Sequence, residues 1–430
     1  MEHAFLLKSV KVMDPEGPWN EQVVDVLIQN GVIQDIATTL DDEHARRLEG
    51  EGTVLSPGWV DGQVHFREPG EETKEGIQSG LHAAARGGFT AVAILPSTHP
   101  CVDHAGAVRN VLATASSAHA QGVPTQALPL ACITEQAQGQ QIAEMHDLST
   151  AGAVGFSDDA PLDKVSVLQR ALTYGTSHGK VIMDMPLDQD LNPGGLMHEG
   201  VVSTEMGLTG IPSEAETIRV RRNLDVLKYA GGRLHLTDLS CAESIALVKA
   251  AKQDGLDVSC STTAMHLCFT DEDLRGFQGV LKMRTPFRSA ADRDALCAGV
   301  LDGTIDMVVS DHRPEDLENH DVEFMLSPHG MASLSSAFAL ALHGLVATSS
   351  DVESALGALL RAWTIGPRHV LSQAQTTIDR GASCDLTWFH PTQPHRPHHA
   401  SKGVNLPPLP NDLVGEVKGV FLEERHWLAD

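Results

Sequence analysis

Apolar and polar positions change rhythm twice along this chain. Residues 1 to about 55 alternate short apolar runs with turns: FLLKSVKVM, then Asp14-Pro15-Glu16-Gly17-Pro18, then VVDVLIQNGVIQDI with Asn30-Gly31 at its centre. Asn-Gly between two apolar runs predicts a hairpin, since both residues tolerate positive φ. From Val54 onward, short apolar runs alternate with helix-length amphipathic segments. The runs predict strands near 54–66, 90–95, 125–132, 153–156, 180–185, 233–238, 256–261 and 305–311. Helices are expected at 73–86, 104–120, 138–148, 163–178, 213–230, 241–253 and 290–301; the first closes on Gly87-Gly88, and Ser213 with Glu216 has capping-box spacing.

Eight strands alternating with helices predict a (β/α)8 barrel, with a doubly wound open sheet as the alternative. No glycine-rich dinucleotide turn follows the first strand, which favours the barrel. From about 368 the rhythm returns to strand-like runs with glycine turns, TIDRGASCDLTWF and LVGEVKGVFLEE. The expected organisation is a small discontinuous β domain from 1–55 and 368–430 beside a barrel at 56–367. Between the last runs, the Pro- and His-rich stretch from His390 to Pro410 reads as a surface loop in preference to a metal-binding tract.

A formal charge of −26 without any Lys/Arg-rich run disfavours nucleic-acid binding, which needs a basic footprint. The seven scattered cysteines contain no CxxC pair and read as small buried hydrophobes of a reduced compartment. With no signal-like N-terminus and no membrane-length apolar run, a cytoplasmic location is expected.

Active sites of such barrels lie at the C-terminal strand ends. Those positions hold Gln63, His65 and Arg67, then Ser97, Asp158-Asp159, Met185, Asp238, Ser261 and His266, and Asp311-His312. Imidazole and carboxylates make chemistry feasible. As a metal-ligand set the collection is poor.

These stretches carry a resemblance that spans nearly the whole chain. DGQVHFREPGEETKEGIQSGLHAAARGGFTAV, GAVGFSDDAPL, GGLMHEG, GLTGIPSEAE, LHLTDLSCAES, DGTIDMVVSDHRPE and SKGVNLPP resemble, in order, the motifs of type I dihydroorotases, relatives of allantoinases and hydantoinases in the amidohydrolase superfamily. The resemblance implies a (β/α)8 barrel with a small β domain, and reversible cyclisation of carbamoyl aspartate to dihydroorotate at a zinc centre. Carried across by position, the family's H-x-H motif reads Gln63-Val64-His65. Its bridging acid falls on Asp158 or Asp159, and its next two ligand histidines fall on Met185 and Asp238. The general acid/base is kept as Asp311, while the residues after it become Arg313 and Glu315. Substrate positions fall on Arg67, Ser97 and Arg284, where the family has an arginine and two asparagines.

Zinc needs imidazole, thiolate or carboxylate donors, and a neutral amide and a thioether suit it badly. The resemblance with three replaced histidines implies a catalytically silent homologue without a metal cofactor. It also implies a role in assembly or stability of the aspartate carbamoyltransferase catalytic chain, with homo-oligomerisation expected. On this reading Asp311 and His65 persist as hydrogen-bonded or ion-paired residues, with Arg67 or Arg284 as partners. The alternative is an active zinc-dependent cyclic amidohydrolase with a remodelled mononuclear site of His65, Asp238 and Asp311; a third is a ligand-binding protein without chemistry.

Overall fold

The computed structural model describes residues 4–191 and 193–429, which form two eight-stranded sheets and a two-stranded ribbon. In one sheet the two chain ends meet. Strands Ala4–Val12, Val23–Gln29, Val32–Ala37, Arg46–Glu49 and Val54–Pro57 join Asp385–Pro394, Val414–Leu422 and Arg425–Leu428. Asn30 and Gly31 make the expected hairpin turn with φ of 51° and 73°, the left-handed pair that matches right-twisted strands. Asp385–Pro394 runs antiparallel to Val54–Pro57, with Thr387 opposite Ser56. This sheet buries its own apolar cluster, including Leu7, Val26, Ile33, Leu55, Leu386 and Phe421.

Gly58 separates the two sheets. The single strand expected at 54–66 is two strands, Val54–Pro57 in the small sheet and Trp59–Val64 in the barrel. At the joint the Gly58 amide donates to the Asp385 carbonyl at 2.8 Å. A Cβ there would lie 1.8 Å from Asp385 Oδ1, so glycine alone lets the chain pass.

The barrel strands are Trp59–Val64, Phe89–Ile94, Gln126–Ala131, Gly155–Ser157, Val181–Asp184, Leu234–Leu236, Val258–Thr263 and Met307–Val309. They pair in parallel in chain order. A bridge from Val64 to His312 closes the circle. Val60, Leu128, Met183, Met307 and Val309 fill the interior, so the barrel is a packed core and not a pore. Helix-facing residues of the same strands join a second, outer cluster that includes Trp59, Val64, Phe89 and Ile182.

Local reading misplaced one helix, misassigned one cap and missed two helices. The helix expected at 138–148 lies at Met145–Ala151, because the glutamine-rich segment before it makes a tight turn and loop. Ser213 starts the helix Glu214–Ala230 without a side-chain cap bond. Glu216 turns instead to the next helix, accepting from the amides of Ser240 and Cys241 at 3.1 and 3.0 Å ahead of Ala242–Gln253. Helices Ala337–Ser349 and Val352–Trp363 escaped the pattern altogether. The first is AFALALHGLVATS, apolar on nearly every side and therefore without a helical period to detect. Among the described residues no helix is long and apolar enough to cross a membrane.

Candidate functional site

The first barrel strand delivers the site through an irregularity. Trp59 faces the helices and Val60 the interior, so simple alternation would send Gln63 outward with Trp59. Pairing with the second strand shifts register between Asp61 and Val64. Val64 consequently joins the outer cluster and Gln63 turns into the barrel mouth, the re-aiming that bulges produce. Asp61 pins this bend by accepting from the amides of Gln63 and Ser310 at 3.1 and 3.2 Å.

Gln63 is the hub. Its Nε2 donates to Asp311 Oδ1 at 2.9 Å and to Asp238 Oδ2 and Oδ1 at 2.9 and 3.1 Å. The sixth and eighth strand ends are thus tied through the first. Asp311 also accepts from Arg313 Nε at 2.9 Å, which corrects the expectation of Arg67 or Arg284 as its partner. The far edge of the Arg313 guanidinium grips Asp159, with Nη1 to Oδ2 at 3.0 Å and Nη2 to Oδ1 at 2.6 Å. Asp159 further accepts from Arg284 Nη2 and from Ser97 Oγ, each at 2.5 Å, both charge-assisted. Gln63, Asp238, Asp311, Arg313, Asp159 and Arg284 therefore form one continuous chain of donors and acceptors.

The remaining candidates stand beside this chain. His65 Nδ1 accepts the Arg67 amide proton at 3.1 Å, and its Nε2 lies 2.9 Å from the Ser97 carbonyl, so one nitrogen accepts and the other donates. The one ring lone pair is thereby occupied, and none is left to join Asp238 or Asp311 in holding a metal. Asp158 and Asp159, adjacent in sequence, separate in role. Asp158 accepts from the amides of Ile133 and Thr134 and from Thr134 Oγ1 at 2.8, 2.9 and 2.6 Å, holding the loop after the third strand. Asp159 alone faces the mouth. Arg67 is spent on Glu315 Oε1 at 2.6 Å and the Pro314 carbonyl at 3.1 Å, and Lys74 reaches the same Glu315 at 2.9 Å. Met185 lies in a small apolar cluster with Leu187, Ile211 and Ala215. That cluster borders a cleft of about 540 Å³ whose polar wall includes Arg284 and His329.

Burial and charge set the protonation of these groups. Burial raises the Asp238 carboxyl to about 7, with the Asp311 charge adding to the shift. Burial would raise Asp159 as well, but Arg284 and Arg313 outweigh it and hold the carboxyl far below its ordinary value. Burial lowers the His65 imidazole to about 3, reinforced by Arg67 and Arg313, which keeps it neutral. Arg67, Asp159, Asp238 and Asp311 all adopt φ between 45° and 61°. Each costs roughly 1–3 kcal/mol for a residue with a Cβ, and such strain gathers at functional sites.

Sequence reasoning singled out most of these residues but missed that Arg313 links Asp311 to Asp159. The available signal was its place two residues after Asp311, where a charge enters a buried strand end. Among the described residues, no three His, Cys, Asp or Glu side chains come together in an arrangement that could hold a metal ion.

A closed parallel barrel with its polar residues at the strand ends, beside a β sheet built from both chain ends, defines an amidohydrolase-type fold. Solved structures agree. An L-hydantoinase (dihydropyrimidinase) from Arthrobacter aurescens superposes with a TM-score of 0.80 at 20% identity, covering 98% of this chain and 95% of that one. A D-hydantoinase gives 0.78 at 18%, covering 99% and 95%. The family model described as dihydro-orotase-like matches residues 52–244. The dihydroorotase of Pelotomaculum thermopropionicum is 38% identical over 407 residues, 94% of this chain and 93% of that protein. That of Syntrophus aciditrophicus is 36% identical over 427 residues, 98% of each. The chain belongs to the dihydroorotase family.

Proposed function

We propose that this chain is a catalytically silent dihydroorotase homologue that supports assembly or stability of the aspartate carbamoyltransferase catalytic chain. The observation that carries the reading is the placement of Gln63 and Arg313. Where zinc would need lone pairs, the Gln63 amide presents N–H donors to two carboxylates, and the Arg313 guanidinium binds Asp311 and Asp159 from the other side. A cation already neutralises these acids. His65 has both ring nitrogens engaged, and Met185 offers only a thioether. This donor set does not fit a zinc centre. A metal that polarises a carbonyl typically supplies several kcal/mol to the transition state, and each ~1.4 kcal/mol is tenfold in rate.

A scaffold role accounts for a barrel that is fully packed while its strand-end chemistry is tied into internal pairs. The test is reconstitution of the cell's aspartate carbamoyltransferase with and without this chain. Co-elution and higher transcarbamoylase activity or thermal stability in its presence are expected; an enzyme that assembles and works equally well alone overturns the proposal.

A further inference from the structure

We infer that the excursion between the eighth barrel strand and the helix Ala337–Ser349 presents a docking surface for a protein partner with an apolar centre and a lysine- and arginine-rich rim. The inference rests on the scaffold reading above and locates the contact. Leu317 is 64% exposed, Met325 64% and Leu326 74%, and the ring of Phe277 from the neighbouring loop is 50% exposed. Phe277 and the buried Phe324 meet edge to face with centroids 6.2 Å apart, which makes the two loops one surface. Apolar groups gathered this way on a soluble protein mark interaction sites.

The display is built and held. Lys282 is buried, and its amine donates to the carbonyls of Phe324, Met325 and Ser327 at 3.3, 2.9 and 2.9 Å. A buried cation thus fixes the turn that carries Met325 and Leu326. Phe277 keeps a left-handed backbone, φ 53°, while half its ring faces water. At the base of the excursion, the Arg313 amide donates to the Met331 carbonyl at 2.7 Å, and Asn405 Nδ2 donates to the carbonyls of Arg313 and Gly330 at 2.9 and 3.0 Å. The residue that closes the strand-end network therefore also anchors the loop that carries the surface.

Charge selects the occupant. Glu318, Asp321 and Glu323, interleaved in sequence with Leu317, Met325 and Leu326, are exposed and form no ion pair among the described residues, and the half-buried Asp316 adds to them, while Glu272 on the Phe277 side is already paired with Arg275. A second copy would bring the same acids against these, in a chain whose formal charge is already −26. A basic rim complements them, and complementary rims steer association and select partners.

The test measures binding of the full-length chain to the aspartate carbamoyltransferase catalytic chain by calorimetry, at low and high salt. The variants are Met325→Ser/Leu326→Ser and Glu318→Lys/Glu323→Lys, with Tyr229→Ser on the exposed face of Glu214–Ala230 as control. Both patch variants should weaken binding at least about tenfold while keeping the native melting temperature, and the control should bind normally. Salt should weaken the unmodified pair more than it weakens the lysine variant. Native-strength binding by both patch variants overturns the location and leaves the scaffold reading standing. No binding by the unmodified chain overturns both. Self-association of the chain that only the patch variants abolish assigns the surface to a second copy and overturns the choice of partner.

Discussion

One strand, Trp59–Val64, contributes to two very different ends of the barrel. At its start, Trp59 packs against Phe338, Trp363 and Phe389 with centroids 4.9, 4.9 and 5.1 Å away. Stability there comes from area removed from water and from aromatic contact. At its finish, Gln63 ties Asp238 to Asp311, and Arg313 and Arg284 hold Asp159. Burying those charges is costly, and each is tolerable only while its partners remain. The aromatic end rewards any tight apolar filling. The polar end permits only complete sets.

The contrast is sharpest for substitutions that remove one large group at each end. Trp59→Ala should destabilise by about 4 kcal/mol through the cavity it leaves, read by denaturant unfolding, with no single neighbouring change restoring it. Arg313→Met should cost about 3 kcal/mol because Asp159 and Asp311 lose their shared cation. Adding Asp159→Asn and Asp311→Asn should recover most of that loss. Failure to recover would mean that the guanidinium acts mainly by filling space, and the two ends would then follow the same rule. Gln63→Leu should cost about 1–2 kcal/mol, since Asp238 and Asp311 lose a common donor and face each other with nothing between.

The smallest effect is one of pH. Asp238 sits at about 7 in the folded chain, above the ordinary carboxylate value it regains on unfolding. The folded state therefore binds the extra proton between those values, and its contribution, full in acid, is lost as pH rises through about 7. Asp238→Asn removes that loss, so its melting temperature relative to the unmodified chain should be higher at pH 8 than at pH 5. Buried histidines work in the opposite sense. His65 and His235, both lowered to about 3 mainly by burial, contribute stability above the ordinary histidine value that is lost as pH falls toward 3. An Asp238→Asn difference independent of pH would place the carboxyl in the charged form throughout.

The two ends also differ in how far the sequence reveals them. Apolar runs and their spacing announce the eight strands, most of the helices and the Asn30-Gly31 hairpin, because burial depends on local rhythm. The break at Gly58 is invisible to that rhythm, since its cause is Asp385, more than three hundred residues away. Glu216 shows the same limit: its capping-box position is local, but its partners lie beyond the following strand. At the polar end, Gln63, His65, Asp238 and Asp311 could be named from their strand-end places. Which of Asp158 and Asp159 faces the mouth depends on amides at Ile133 and Thr134, and the role of Arg313 depends on two carboxylates from different strands. Residue types at strand ends are legible in one dimension; who pairs with whom is not.

The central claim is that the strand-end network has replaced zinc chemistry, and it is tested most directly by assaying the purified chain for interconversion of carbamoyl aspartate and dihydroorotate, with zinc supplied and bound metal measured in the same sample. The account predicts turnover indistinguishable from the protein-free control and zinc well below one equivalent. Stoichiometric zinc together with turnover well above that control would contradict it.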